Sequence, residues 1–343
     1  MELKHFGMDY MNVKAFSFLQ WAAESHSYYD ELFSNLGLTK VGTNYNGDVI
    51  WNAHNIYFFV TIQRHDFVTQ HGPGVSGIGL HFDDAKVAYH ESIENGMVPA
   101  QMMGYTGEGI DGVVLYFTDS SVSEEMIPIK TNGLVIMDRT AELYRTLMNK
   151  APGVIDHITH NCHIGNVDVW AKNYSDWFGM YQNMYFDIDG KETGLISRAM
   201  MSDNGNMAIP LNEDKNDKGQ IAKYLRDFNG EGVQHIALET DDIYSTVKQL
   251  RANGIQFLDT PDTYYDMIDE RIDYHEENID DLRELGILID GSKKDGILLQ
   301  VFTKEIVGPV FFEIIQRKGN TGFGHGNFKA LFEAIERFQL NTI

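Results

Sequence analysis

The chain of 343 residues carries 27 basic and 50 acidic side chains, a formal net charge of -23 at pH 7. Such acidity argues against nucleic acid and anionic membranes as partners, because both would be repelled. The single cysteine, Cys162, excludes an internal disulfide and a cysteine-based zinc site, and it fits a reducing compartment. We find neither an apolar run long enough to span a bilayer nor an N-terminal signal core. These features predict a cytoplasmic protein of about two domains.

The first part of the chain predicts strands alternating with helices. The predicted elements are a strand at 8–16, a helix at 18–36, two strands over 40–63, a strand and a helix over 74–96, and a strand at 111–119. Asn46-Gly47 is typical of a hairpin turn between the two strands. Gly96 is a plausible cap for the helix that precedes it.

An internal repeat relates the two parts of the chain. Residues 74–96 and 232–254 align without a gap at an offset of 158, with eight identities. A weaker match pairs residues 8–10 with 155–157. Since only two copies occur, the pattern indicates duplicated units rather than a solenoid. We expect two related halves that meet near residues 140–152.

The second part of the chain ends in strands and a helix. The predicted elements are a strand end and loop over 203–218, an acidic solvated helical stretch at 262–285, strands at 297–302 and 308–316, and an amphipathic helix at 326–339. The last helix either packs on the core or closes over a pocket.

Glu313 is the first candidate for a functional residue. It lies among Phe311, Phe312, Ile314 and Ile315, a pattern typical of a strand buried on both faces. A buried carboxylate without a partner costs several kcal/mol, so the chain must provide a positive partner. That partner is a metal ion or a buried Arg or Lys, unless Glu313 lies at a strand end in water.

His157 and His235 are the other candidate ligands, each on its own predicted strand. Two imidazoles and a carboxylate on one face of a metal leave positions open, as in non-haem Fe(II) oxygenases. The same ligand types suit catalytic zinc. Their spacing carries no signature, and a histidine that is merely hydrogen-bonded is a common alternative. His160 and His163 are interpreted as bystanders.

The two halves differ in sequence at the positions of these candidate ligands. His235 aligns with Gly77 and His157 with Tyr10, while the strand at 111–119 has no carboxylate in its middle. This pattern favours one functional site in the second half and a structural role for the first half.

Seven motifs in the second half together resemble the 4-hydroxyphenylpyruvate dioxygenase family of the vicinal-oxygen-chelate superfamily. They are IDHITHN (155–161), GVQHIAL (232–238), PDTYYDMIDER (261–271), LRELGILID (282–290), GILLQVFTK (296–304), FFEIIQR (311–317) and GFGHGNFKALFEAIE (322–336). The resemblance implies an α+β fold of two homologous halves, each made of paired βαβββ modules that form an open, barrel-like sheet. It implies a degenerate structural domain at 1–148 and a catalytic domain at 149–343 with a C-terminal gating helix.

The resemblance also implies the site. By position, His157, His235 and Glu313 would bind Fe(II). Gln300, Asn212 and Phe328 would take part in catalysis. The substrate-binding positions would be Ser197, Asn212, Gln220, Gln234, Gln300, Phe311, Phe323, Asn327 and Phe328. Phe311 and Phe328 would stack on the substrate ring.

The activity implied by the resemblance is Fe(II)-dependent conversion of 4-hydroxyphenylpyruvate and dioxygen to homogentisate and carbon dioxide. It combines oxidative decarboxylation, ring hydroxylation and side-chain migration, a step of tyrosine catabolism. The partners implied are this substrate and dioxygen, in a homo-oligomer, dimer or tetramer. The alternatives are a 4-hydroxymandelate synthase, a ring-cleaving dioxygenase or glyoxalase on the same fold, and a non-catalytic ligand-binding relative. Phe328 and Asn212 favour the dioxygenase over the synthase.

Overall fold

The computed structural model describes residues 11–44, 46–119, 153–189, 194–327 and 330. Within these residues the strands form one seven-stranded and one eight-stranded sheet. The strands of the first sheet lie between residues 15 and 118, and those of the second between 154 and 318. The predicted domain boundary at 148/149 lies outside the described residues.

The first sheet has the strand order β2-β3-β4-β1-β5-β7-β6. Its strands are β1 (Ala15–Ala22), β2 (Thr39–Thr43), β3 (Val49–Ala53), β4 (Ile56–Thr61), β5 (Gly74–His81), β6 (Thr106–Glu108) and β7 (Val114–Thr118). The helices of this half are α1 (Asp30–Asn35), α2 (His65–His71) and α3 (Ala85–Glu94).

The second sheet has the strand order β13-β14-β15-β12-β8-β11-β10-β9. Its strands are β8 (Val154–Asn161), β9 (Tyr181–Asp189), β10 (Gly194–Met201), β11 (Ala208–Asp214), β12 (Gly232–Glu239), β13 (Leu288–Ser292), β14 (Gly296–Phe302) and β15 (Phe311–Lys318). The helices of this half are α4 (Val167–Phe178), α5 (Gln220–Phe228), α6 (Ile243–Ala252), α7 (Asp262–Tyr265), α8 (Ile268–Arg271) and α9 (Ile279–Leu285).

Each sheet combines two modules of a strand, a helix and further strands. The last strand of a module lies parallel to its first, as in β1 with β4, β8 with β11 and β12 with β15. The two modules of a sheet join through an antiparallel pair, β1 with β5 and β8 with β12. In the module that begins with β5, a single bridge between Pro99 and Gly107 stands in place of the first of the three strands that follow the helix. The predicted paired-module fold is thus confirmed.

The internal repeat is confirmed by local geometry. β5 and α3 have the same bounds as β12 and α6 when 158 is added. Asp84 caps α3 by accepting a hydrogen bond from the Val87 amide, and Asp242 caps α6 in the same way. An acidic N-cap of this kind stabilises a helix because it pairs an otherwise unsatisfied amide. The same sequence pattern therefore forms the same strand–cap–helix unit twice.

The prediction of a helix at 18–36 is wrong for its first part. Phe18 lies in β1, where Leu19 and Trp21 are also fully or almost fully buried, and only Asp30–Asn35 is α-helical. A continuous apolar run fits a strand buried on both faces as well as a buried helix, so periodicity did not separate them.

Three other segments differ from the sequence-based expectation. Residues 40–63 contain parts of three strands rather than two, because a second turn follows β3. The stretch 203–218, expected to be a strand end and a loop, contains the whole of β11, which is paired on both sides. The acidic stretch 262–285, expected to have helical spacing and a solvated face, forms three short helices.

Strand register also corrects the proposed counterpart of His157. Residues 8–10 lie outside the described residues. In β8, His157 pairs with Ala237, and in β1, Phe18 pairs with Gly79, which lies 158 residues before Ala237. Phe18, and not Tyr10, therefore stands where the second sheet has His157.

The C-terminal helix is described only at its start. Residues 325–327 are helical and Ala330 is buried, while most of the predicted helix at 326–339, and its gating role, lie outside the described residues. Among the helices that are described, none combines the length and apolar character needed to cross a membrane.

Candidate metal centre

Three adjacent strands of the second sheet bring His157, His235 and Glu313 together. β8, β12 and β15 are neighbours in the sheet. Ala237 of β12 pairs with His157 on one side and with Glu313 on the other, so both side chains leave the same face of the sheet. His235 precedes Ala237 by two residues and therefore shares that face.

The distances between the three side chains suit a single ion. The Glu313 carboxylate oxygen Oε2 lies 3.3 Å from His157 Nε2 and 3.4 Å from His235 Nε2. One ligand atom from each residue lies within 4.8 Å of the others. Metal–ligand bonds of about 2.0–2.2 Å place neighbouring ligand atoms roughly 3 Å apart. Two imidazole nitrogens and one carboxylate oxygen could therefore bind one metal ion, and three protein ligands would leave positions free for other ligands.

The electrostatics of the cluster favour a cation. Burial would raise the pKa of Glu313, but His157 and hydrogen bonds from both histidines lower it to about 2. Burial would lower the pKa of His157, yet the carboxylates of Glu313 and Asp156 raise it to about 9. Burial lowers the pKa of His235. The cluster thus holds an ionised, buried carboxylate, and either a protonated His157 or a bound metal ion balances its charge.

Asp156 and Arg317 support His157, and sequence reasoning missed both roles. Asp156 Oδ1 accepts a hydrogen bond of 2.6 Å from His157 Nδ1. Arg317 binds the same carboxylate twice, from Nε and Nη2. Burial would raise the pKa of Asp156, but these bonds lower it well below its usual range. Both residues stand in motifs quoted above, yet they are 161 positions apart, so no local signal pairs them.

His235 is held by different partners. Its Nδ1 lies 2.9 Å from Gln234 Oε1, and its Nε2 lies 3.0 Å from Thr159 Oγ1. The Phe311 ring stacks on the imidazole at 4.9 Å. Gln234 and Phe311, predicted to bind substrate, thus both contact a candidate ligand. Thr159 was not predicted.

A chain of hydrogen bonds leads away from Glu313. Gln300 Nε2 lies 3.4 Å from Glu313 Oε1, and Asn327 Nδ2 donates to Gln300 Oε1 at 3.0 Å. The Tyr264 hydroxyl lies 2.6 Å from Asn327 Oδ1. Gln300 and Asn327, both predicted site residues, are therefore joined to the cluster. Tyr264 was not predicted.

The remaining predicted residues differ in their placement. In the strand register, Ser197 of β10 lies opposite Asn212 of β11, and Asn212 lies opposite Asn161 of β8. All three side chains therefore lie on the face of the sheet that carries His157. Phe323 packs edge-on against His157 at 5.3 Å. Gln220 is exposed at the first position of α5. Phe328 lies outside the described residues.

Comparisons with known proteins agree on one family. A family model described as "Hydroxyphenylpyruvate dioxygenase, HPPD, N-terminal" matches residues 8–128. A second, "Glyoxalase/Bleomycin resistance protein/Dioxygenase superfamily", matches residues 154–268. The chain is 42% identical to "Hemolysin VllY" of Vibrio vulnificus, covering 96% of both chains.

Two further matches concern the enzyme and the fold. A mutant of 4-hydroxymandelate synthase from Streptomyces coelicolor, 23% identical, superposes with a TM-score of 0.78 over 96% of this chain and 99% of that chain. That likeness shows the fold alone. A protein of Legionella pneumophila (strain Corby) named 4-hydroxyphenylpyruvate dioxygenase is 42% identical over 95% of this chain and 94% of that protein. On this similarity across almost the whole of both sequences, the chain belongs to the 4-hydroxyphenylpyruvate dioxygenase family.

Proposed function

We propose that this chain is a 4-hydroxyphenylpyruvate dioxygenase that forms homogentisate and carbon dioxide, with Fe(II) bound by His157, His235 and Glu313. The observation that supports it best is the meeting of these three side chains on one face of adjacent strands, within 4.8 Å of one another. Two imidazoles and one carboxylate suit Fe(II) in an oxygenase because they leave positions for substrate and dioxygen. The named relatives of this family support the substrate.

The bound iron would supply coordination of the keto acid and activation of dioxygen. The protein would orient the substrate and keep water away. Gln300 is suited to orientation because Asn327 and Glu313 fix its amide on two sides. Phe311 and Phe323 would form apolar walls beside the two histidines, for they already contact those rings.

Ser197 and Asn212 would bind the polar end of the substrate farthest from the metal. Asn212 pairs with Asn161, four residues along β8 from His157. At 3.3 Å per residue, that separation is about 13 Å along the strand. An elongated keto acid would thus bind iron at one end and direct its phenol toward the pair of Ser197 and Asn212. Gln220 and Phe328 remain predicted substrate-binding positions.

The decisive experiment identifies the product. Purified protein with ferrous iron should consume dioxygen when 4-hydroxyphenylpyruvate is added, and chromatography should detect homogentisate. Hydroxymandelate would favour the synthase alternative. Iron binding without consumption of dioxygen or formation of product would favour a ligand-binding relative. Activity of the metal-free protein with zinc and without iron would exclude the iron oxygenase.

We also propose, from the sequence, a catalytic second domain at 149–343, a structural first domain at 1–148 and a cytoplasmic homo-oligomer. Light scattering on the purified protein would measure the oligomeric state, and cell fractionation would test the location. A monomer by light scattering would contradict the dimer or tetramer.

A further inference from the structure

We infer that Asp156 and Arg317 form a positioning pair that couples the orientation of His157 to the seating of residues 320–324 over the metal centre. This inference rests on the proposed metal-binding role of His157. It assigns a task to two residues that would touch neither substrate nor metal.

The first half of the argument concerns the histidine. Asp156 Oδ1 bonds to His157 Nδ1 at 2.6 Å and to Arg317 Nη2 at 2.7 Å, while Oδ2 accepts from Arg317 Nε at 2.6 Å. Both oxygens of the carboxylate are therefore fixed by a two-point contact. An acceptor at Nδ1 keeps the proton on that nitrogen and directs the lone pair of Nε2 toward the ion. Arg317 thus acts on His157 through Asp156.

The second half concerns the covering segment. Arg317 Nη1 donates to the carbonyls of Asn320 at 3.1 Å and Gly322 at 2.7 Å. Its guanidinium lies 5.7 Å from the ring of Phe323. Phe323 in turn packs against His157 at 5.3 Å. One guanidinium therefore joins the support of a candidate ligand to the turn that places an aromatic ring on that ligand.

Burial makes this coupling strong. The side chain of Asp156 is 9% exposed and that of Arg317 18% exposed. The buried carboxylate of Glu313 and the half-buried carboxylate of Glu239 also interact electrostatically with Arg317, so its positive charge is balanced on more than one side. A lysine would keep the charge but could not bind one carboxylate at two points and two carbonyls at the same time. The planar fork of arginine is therefore required.

The two candidate histidine ligands are supported unequally. His235 Nδ1 faces the neutral amide oxygen of Gln234, whereas His157 Nδ1 faces a carboxylate that is itself paired. A charged acceptor strengthens the basicity of the ligating nitrogen more than an amide does. We expect the Asp156–Arg317 pair to contribute to metal affinity in addition to holding the segment.

The test measures metal affinity and segment protection, both independent of turnover. Co(II) is titrated into metal-free protein in competition with a chelator, and hydrogen exchange at residues 320–324 is followed with and without Co(II). Asp156→Asn and Arg317→Lys should each weaken Co(II) binding by about 10- to 100-fold. In the unaltered protein Co(II) should slow exchange at 320–324, and either variant should abolish that response, because coupling is reciprocal. The double variant should lose little more than the worse single variant.

Arg64→Lys is the matched control. Arg64 is buried in the first half and binds two carbonyls, those of Ser76 and Gly112, through its two Nη atoms. The control should lower the melting temperature without changing Co(II) affinity. Co(II) affinity within twofold of the unaltered protein in both test variants would overturn the inference, as would an equal loss in Arg64→Lys. If Arg317→Lys fails to fold, Asp156→Asn still decides the outcome. A failure to form homogentisate alongside the expected affinity losses would reject the proposed function and leave this inference standing.

Discussion

Gly79 lies directly against the ring of Phe18, so that a Cβ on Gly79 would stand 2.6 Å from Phe18 Cε1. The Phe18 ring stacks on Phe59 with centroids 4.4 Å apart. Phe18 pairs with Gly79 as His157 pairs with Ala237. At the position where the second sheet has the candidate ligand His157, the first sheet therefore has a phenylalanine ring packed against a glycine.

Gly79→Ala should lower the free energy of unfolding by about 1–3 kcal/mol, because the new methyl group would overpack the Phe18 ring. Denaturant titration measures the change. Gly153→Ala is the control, since among the described residues its Cβ would meet nothing closer than the Glu239 carbonyl oxygen at 3.9 Å. That variant should stay within about 0.5 kcal/mol of the unaltered protein. Equal costs at both positions would contradict the packing argument.

Glu313→Ala should abolish metal retention, because it removes the single anionic ligand of the cluster and leaves two neutral imidazoles. Elemental analysis after desalting should find about one iron per chain before the change and almost none after it. Tyr116 pairs with Gly79 as Glu313 pairs with Ala237, so it stands at the equivalent position in the first half. Tyr116→Phe should leave iron content unchanged. Full occupancy in Glu313→Ala would remove Glu313 from the site.

Tyr264→Phe should cost about 1–3 kcal/mol of stability, because it leaves buried polar groups without a partner. The Tyr264 hydroxyl accepts hydrogen bonds from the Ile289 amide and Arg271 Nη2 and lies 2.6 Å from Asn327 Oδ1. Thermal unfolding measures the loss. Tyr174 offers the control, for it is fully buried and its hydroxyl has no hydrogen-bond partner among the described residues. Tyr174→Phe should be neutral or slightly stabilising, and a larger loss there would refute this reasoning.

Cys162 should react with an aromatic disulfide reagent only after unfolding. Burial, and then the carboxylates of Glu231 and Glu213, raise the pKa of its thiol well above the usual value, so little thiolate forms near pH 8. The absorbance of the aromatic thiol released from the reagent measures the reaction, with and without denaturant. A native protein that reacts as fast as a small-molecule thiol would show that Cys162 is accessible.

The sequence alone determined the units from which the fold is built. The offset of 158 predicted two copies of a strand followed by a helix, and both copies occur at the expected residues, where the structure adds an acidic N-cap to each helix. Such units depend on neighbours within a few positions, so the pattern of apolar residues, capping side chains and turn glycines specifies them. The same local logic placed Glu313 on a strand buried on both faces.

The family resemblance implied that His157, His235 and Glu313 meet at one ion, but the tertiary structure decided how they meet and which other side chains join them. Register across β8, β12 and β15 brings the three candidate ligands to one face, and an irregularity between Val233 and His235 places Gln234 beside the His235 ring. Strand register also places Phe18 at the position that corresponds to His157. It brings Asp156 and Arg317 within hydrogen-bonding distance. These contacts join residues far apart in the chain, and a shift of one residue in strand pairing would reverse every face, so no local pattern encodes them.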